Sequence, residues 1–187
     1  ESIDAVGGST HRYPEQTTIT VVHDGCGVSL RWDALKERRE QWMLCLEDDG
    51  IALAPEGQAF HEFFGQTRTE DLTCDRSVVV LPADGAARPP VALSCLLGEN
   101  TWLPSWEVLE RSRLTVGATV VPVQHVRMTI SDNDHYYEHY TMDWYLDERG
   151  LPIQVRVQKE SLSDTAYGDV LYTEVYGLDL LSLSPLR

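Results

Sequence analysis

The sequence lacks the motifs by which many enzymes and cofactor-binding proteins are recognised. It contains no G-x-S-x-G nucleophile motif and no G-K-[ST] phosphate-binding motif. The stretch Gly25-Cys26-Gly27 has no third glycine, which a dinucleotide-binding loop requires. We therefore expect no catalytic residues and no cofactor.

Long apolar runs are also missing. No run of about 18 apolar residues occurs, so we predict no transmembrane segment. The overall composition, 42% hydrophobic and 24% charged, is that of an ordinary soluble globular protein. We expect residues 1–15 to form a flexible N-terminal segment and residues 16–187 to form a single antiparallel β domain.

Positive charge is scarce. The chain has 15 Lys and Arg residues against 30 Asp and Glu residues, for a net charge of -15. Only Lys36 and Lys159 are lysine. Such an acidic surface repels phosphate backbones, so we expect no nucleic-acid partner. The partners that remain are a hydrophobic small molecule or a cell-envelope protein, and the oligomeric state is left open.

Cysteine occurs four times and never as a C-x-x-C pair, at Cys26, Cys45, Cys74 and Cys95. A hairpin in which Asp33 faces Arg38 places Cys26 opposite Cys45, at a separation that a disulfide can span. A second hairpin, turning at Asp84-Gly85, places Cys74 opposite Cys95 in the same way. These pairings predict an extracytoplasmic protein, secreted or anchored at the cell surface. Four reduced cysteines are the alternative.

Strand patterns dominate the second half of the chain. Alternating residues predict an antiparallel meander over residues 118–130, 136–146, 151–160 and 170–181. Residues 82–105 contain four prolines, which indicates a long connection. The stretches ALKERREQW and SWEVLERS allow short helices, the second with Ser105 as its N-cap. We predict a mainly β fold, β or α+β: a curved antiparallel sheet or half-barrel built from hairpins, with one or two short helices.

The stretch HYYEH, residues 135–139, matches the H-x-x-E-H pattern of one class of zinc peptidases. That motif functions on a helix, where both histidines reach one metal ion. Here its neighbours favour a strand. A four-residue loop over Asp147–Gly150 sets Trp144 opposite Ile153 and Glu138 opposite Lys159, so that Glu138 points away from both histidines. We therefore interpret the motif as a coincidence.

A weaker metal hypothesis involves His125, His139 and Asp143. A five-residue loop over residues 131–135 places His125 diagonal to His139 on one face of the sheet, with Asp143 nearby. Two histidines and a carboxylate can hold a transition metal. In the same register the cationic Arg127 faces His139, which disfavours a bound metal. The alternative is a set of exposed polar residues.

The opposite face of the predicted sheet is apolar. If this face is open, it is a candidate site for a lipid or other hydrophobic ligand. If helices or the N-terminal half cover it, it is the core of the protein. Its residues are Val126, Met128, Ile130, Tyr140, Met142, Trp144, Ile153, Val155 and Val157.

Two segments of the C-terminal half resemble secreted proteins. DWYLDERGLPIQVRV, residues 143–157, is similar to a hairpin of the LolA/LppX-like lipoprotein-carrier group, in which a G-L-P turn joins two strands of a curved half-barrel. VPVQHVRMTIS, residues 121–131, resembles uncharacterised secreted proteins of high-GC Gram-positive bacteria that have two cysteine pairs upstream. The resemblance implies a lipoprotein-like protein that sequesters an acyl chain or similar apolar ligand, and no catalytic residues carry over.

Three functional hypotheses follow. The first is a non-catalytic extracytoplasmic domain that binds a hydrophobic ligand on a concave sheet face. The second is a cell-envelope protein-interaction module with an acidic surface. The third is a metal-dependent hydrolase that uses His125, His139 and Asp143.

Overall fold

The computed structural model describes residues 2–4, 12–35, 38–63, 66–98, 100–132, 137–165 and 168–184. Within these ranges the chain forms no helix and fifteen β-strands. They are β1 (Ser2–Asp4), β2 (Ile19–Asp24), β3 (Gly27–Leu35), β4 (Arg38–Glu47), β5 (Gly50–Phe63), β6 (Gln66–Cys74), β7 (Val78–Pro82), β8 (Arg88–Ala92), β9 (Cys95–Leu97), β10 (Asn100–Trp102), β11 (Ser105–Val116), β12 (Thr119–Asp132), β13 (Tyr137–Leu146), β14 (Pro152–Thr165) and β15 (Gly168–Asp179).

The strands form two antiparallel sheets, so the mainly β prediction is confirmed. Sheet A has the order β1-β15-β14-β13-β12-β11-β8. Sheet B has the order β10-β9-β6-β5-β4-β3-β2, and β7 pairs with β5 beside this path. Neither sheet closes on itself, and the two pack face to face.

Aromatic side chains join the two sheets at the centre of the core. Trp42 of sheet B meets Trp106 and Trp144 of sheet A edge-on, with ring centroids 6.3 and 5.5 Å apart. Trp106 and Trp144 also contact each other at 5.7 Å. Edge-on packing brings the positive ring edge to the negative ring face, which adds to the hydrophobic gain from burial. The three tryptophans therefore fix how the sheets lie on each other.

The two stretches that allowed short helices form none in the part of the chain that the structure describes. SWEVLERS belongs to β11, and ALKERREQW runs into β4. The described residues of both stretches lie in paired strands, with a β-bulge between Val108 and Arg111 in the second, and this tertiary pairing outweighs their weak local helix propensity. The predicted connection over residues 82–105 is also wrong, because it contains β8, β9 and β10.

Part of the N-terminal segment, for which flexibility stays a prediction, contacts sheet A. Ser2–Asp4 form β1 and pair with Leu171–Thr173 of β15. Farther along, the Tyr13 hydroxyl donates a hydrogen bond to the buried carboxylate of Glu174. The polar composition of residues 1–15 gave no sign of either contact.

Both predicted disulfides are present, Cys26–Cys45 and Cys74–Cys95. The predicted first register is wrong by one residue, since Cys45 faces Gly27. A Cβ at Gly27 would collide with the carbonyl of Leu44, so only glycine allows this close approach, and Cys26 reaches Cys45 from the turn. The predicted second register is confirmed, because Cys74 faces Cys95.

The hairpin predicted around Asp84-Gly85 does not form. β7, before this turn, pairs with β5 in sheet B, whereas β8, after it, pairs with β11 in sheet A. The chain therefore crosses between the sheets at the turn, and it returns to sheet B at β9.

Two other predicted registers are wrong by an even number of residues. Trp144 faces Val155 and not Ile153, a slip of two residues. His125 faces Tyr145 and not Thr141, a slip of four. Because side chains alternate with a period of two, an even slip keeps the residues on their predicted faces, with the exception of Ile153 at the β-bulge between Tyr145 and Leu146.

Candidate functional site

The apolar face predicted as a ligand site is packed. All nine of its residues are buried, with Val126 and Met128 at 0% exposure. Eight of them belong to the main core cluster, together with Leu30, Leu44 and other side chains of sheet B. The structure thus corresponds to the alternative in which the N-terminal half covers this face. Binding of a hydrophobic ligand stays a prediction, and the face has no exposed surface to support it.

Ile153 is the one residue of this set that lies elsewhere. A β-bulge shifts the register between Tyr145 and Leu146. Ile153 consequently packs into a second cluster with Val121 and Val123. The C-terminal residues Leu180 and Leu183 pack against this cluster as well.

The three candidate metal ligands do not come together. His125 Nε2 lies 2.6 Å from Asp143 Oδ1. His139 faces Ser131, six positions along β12 from His125, which is about 20 Å on an extended strand. Within the described ranges no group of three or more His, Cys, Asp or Glu residues can hold a metal ion.

Asp143 is the centre of a polar cluster on the outer face of sheet A. The Arg127 Nε donates a hydrogen bond of 2.8 Å to the same Oδ1 that His125 contacts. This hydrogen bond raises the pKa of the Arg127 guanidinium. His125 also stacks on Tyr145, with ring centroids 4.4 Å apart. The carboxylate already has a cation and an imidazole as partners, so the cluster is an ion-pair network that stabilises the sheet surface.

The residues of the H-x-x-E-H motif that the structure describes are strand residues. Glu138 faces Ser161 and forms a diagonal ion pair of 2.8 Å with Lys159. His139 follows Glu138 in β13 and therefore lies on the opposite face. His135 is outside the described residues.

The sheet edges differ in how much backbone they leave open. Strands β1, β2, β8 and β10 end the two sheets. β1 and β10 have three residues each, and β8 contains Pro89 and Pro90. β2 has six residues, ITVVHD, with no proline, and its pairing with β3 has no bulge. Among the described strands that end a sheet, β2 is the longest.

The side chains of β2 make this edge apolar. Val21 and Val22 are 48% and 53% exposed, and they point to opposite faces of the sheet. Val21 faces Leu30, which is only 5% exposed. Val21 therefore lies on the core side of sheet B at a point where the described part of sheet A does not cover it.

The free backbone groups of β2 follow from its hairpin. Gly25 and Cys26 form a two-residue turn, which makes Asp24 and Gly27 a hydrogen-bonded pair. The pattern alternates from there, so Thr20 and Val22 also bond to β3. The N–H and C=O groups of Ile19, Val21 and His23 consequently point away from β3. No described strand pairs with them.

β2 is held rigidly in spite of its position. All six of its residues pair with β3, and the disulfide at Cys26 lies two residues beyond its end. The Thr17 hydroxyl donates a 2.7 Å hydrogen bond to the Asp33 carbonyl just before the strand. Ile19 packs against the main core. The edge is therefore a preorganised template.

The local sequence pattern did not indicate that β2 lies at an edge. The available signal was Val21-Val22, two adjacent valines that cannot both face one core. A strand that is buried on both faces also has adjacent valines, so the pattern alone does not distinguish an edge strand from a central one. Comparison of the chain with protein-family models, curated proteins and solved structures gives no match.

Proposed function

We propose that this protein is an extracytoplasmic interaction module that binds a partner protein by strand addition at β2. The observation that supports this proposal is the open edge of β2. In the described part of the chain, no strand pairs with its outward backbone groups, and its two valines are exposed. An unpaired edge is a template for a strand from another chain, and proteins usually block such edges with prolines, charges or short strands.

The cysteines support the extracytoplasmic part of the proposal. Cys74–Cys95 joins the neighbouring strands β6 and β9 of sheet B, and Cys26–Cys45 joins the β2–β3 turn to β4. Disulfides of this kind persist in oxidising compartments and are rare in the cytosol. In the described part of the chain no helix is long and apolar enough to cross a membrane.

The affinity of such a site comes from the backbone, and its selectivity comes from the flanking side chains. A strand added to β2 would bond to the outward groups of Ile19, Val21 and His23. Its own side chains would then lie beside Val21 on one face and Val22 on the other. Because β2 is already fixed by β3 and by Cys26, only the incoming segment loses conformational freedom on binding.

A matched pair of variants tests the proposal. Val21→Pro removes an outward N–H without touching the ladder to β3, and proline is tolerated at an edge in this orientation. Val21→Thr keeps the N–H and the β-branched shape. In a selection from a random-peptide library, we expect binders whose affinity falls at least about tenfold with Val21→Pro and little with Val21→Thr, a difference of roughly 1.4 kcal/mol or more. Binders that are all indifferent to Val21→Pro would refute strand addition.

A further inference from the structure

The chemistry of the segment that β2 accepts follows from the charge around it. This inference rests on the proposed function and deepens it. We infer that the partner is an extended basic segment, with Lys or Arg residues at the end that lies beside Asp24 and β-branched residues along the rest.

Several positive charges of the protein already have an acidic partner. Among the described residues, six basic side chains form ion pairs with acidic side chains, for example Arg31 with Asp33 at 2.9 Å and Arg156 with Asp179 at 2.7 Å. The others of this set are Arg88, Arg127, Arg149 and Lys159. Because these cations are already paired, the net charge of -15 comes from acidic side chains that have no basic counterpart. A basic segment is drawn to such a field and an acidic one is repelled.

The end of β4 lies next to the turn that closes the β2–β3 hairpin. The Leu46 N–H donates a hydrogen bond of 3.2 Å to the Cys26 carbonyl, which joins the end of β4 to the turn that closes the β2–β3 hairpin. The next three residues, Glu47, Asp48 and Asp49, are exposed in the β4–β5 turn. An acidic segment therefore lies next to the β2–β3 turn, at the same end of sheet B at which β2 ends with Asp24, so this end favours positive charge in the added strand.

A second copy of the chain is a less favoured occupant of the β2 edge. Two copies pairing through β2 would set Val21 opposite Val21, with Thr20 opposite Val22, and this pairing contains no like-charge contact. However, each copy has a net charge of -15, so their approach is opposed at low ionic strength. The field of the protein therefore favours a basic partner over self-pairing.

Two synthetic peptides test the inference. One has three lysines followed by alternating threonine and valine, and the other has three glutamates in place of the lysines. In fluorescence anisotropy at low salt, we expect the lysine peptide to bind at least about tenfold tighter than the glutamate peptide. The preference should shrink as salt is added, since the attraction is between exposed charges.

A charge-matched pair of variants locates the effect. Glu47→Gln, Asp48→Asn and Asp49→Asn together should remove most of the lysine preference. Glu56→Gln, Glu110→Gln and Asp169→Asn make the same change in net charge at other exposed positions, and they should leave most of it. Equal losses from the two triple variants would overturn the local argument.

The remaining outcomes separate the two proposals. If both peptides bind equally and Val21→Pro abolishes both, the partner is not basic but strand addition at β2 stands. If the lysine peptide binds the Val21→Pro variant and the unchanged protein with equal affinity, the binding is non-specific electrostatic attraction. Strand addition at β2 is then excluded, and the proposed function fails. If the protein alone dimerises in sedimentation and Val21→Pro abolishes the dimer, the occupant is a second copy and the basic-partner inference is overturned.

Discussion

The edge strands β2 and β8 occupy similar places in the fold but differ in what they leave open. Each ends one sheet, and the chain leaves each of them toward a disulfide, at Cys26 after β2 and at Cys95 after β8. β8 carries two adjacent prolines, which have no N–H to donate, and its Arg88 is paired with Asp84 at 2.8 Å. β2 has exposed valines and no proline. The same fold thus blocks one edge by its sequence and leaves the other available.

The largest expected effect on stability comes from removing the disulfides whose cysteines follow the two edge strands, Cys26 after β2 and Cys95 after β8. Each links residues about 20 apart in sequence, with separations of 19 and 21, so removing either should cost about 3 kcal/mol of unfolding free energy. Cys74→Ala/Cys95→Ala should cost about 1 kcal/mol more than Cys26→Ala/Cys45→Ala, because Cys95 is fully buried and Cys26 is exposed. Urea unfolding of the two double variants gives the comparison. A larger loss at Cys26–Cys45 would contradict it.

The next effect concerns how each edge strand packs. Val91 of β8 faces Trp106 and packs against the main core, so Val91→Ala should lower the unfolding free energy by about 1 kcal/mol. Val21 of β2 is half exposed, and Val21→Ala should cost less than about 0.5 kcal/mol. Thermal unfolding of both variants checks this ranking. If Val21→Ala proves the more costly, Val21 is covered, and the description of β2 as an open edge is wrong.

A third prediction removes the block from β8. Pro89→Val with Pro90→Thr gives this strand two N–H groups and β-branched side chains. Calorimetry with the lysine peptide should then show a second, weaker site in addition to the one at β2. Stability should fall by less than about 1 kcal/mol, mainly through the greater freedom of the unfolded chain. An unchanged stoichiometry of one would mean that the prolines are not what closes this edge.

The smallest effect is expected at the Asp84–Arg88 pair beside β8. The Ala86 N–H and then Arg88 hold the pKa of Asp84 below its ordinary value of 3.8. Because the pKa of this carboxyl is lower in the folded than in the unfolded state, its charge stabilises the fold at pH values above the unfolded-state pKa. This stabilisation is lost as the pH falls through the folded-state pKa. Asp84→Asn should therefore lower Tm slightly at pH 6, and the variant and the unchanged protein should converge near pH 2. A constant difference across this range would show that the charge of Asp84 is not responsible.

Several elements of the fold could be predicted from the sequence, each for an identifiable reason. The alternation of apolar and polar residues around Trp144 and Tyr140 indicated which face of each strand is buried, because a slip of one residue would expose all the apolar side chains of the strand. It could not fix the register, since slips of two and four residues bury the same side chains. This ambiguity is why His125 and His139 were placed together by prediction and lie far apart in the structure.

The edge site was beyond prediction for a different reason. Whether a strand lies at an edge depends on which distant segment pairs beside it, and local pattern does not contain this information. The disulfide partners were accessible because cysteines must approach closely, so an error of one residue at Cys26 left the pairing unchanged. Both helix predictions failed where long-range pairing overrode local composition.

Amide hydrogen exchange along β2, with and without the lysine peptide, tests the central claim most directly. In the free protein the amides of Ile19, Val21 and His23 should exchange quickly, and those of Thr20 and Val22 slowly, because only the latter two bond to β3. Saturating peptide should slow Ile19, Val21 and His23 and leave β8 unchanged. If these three amides exchange equally fast with the peptide bound, no strand is added at β2 and the account is wrong.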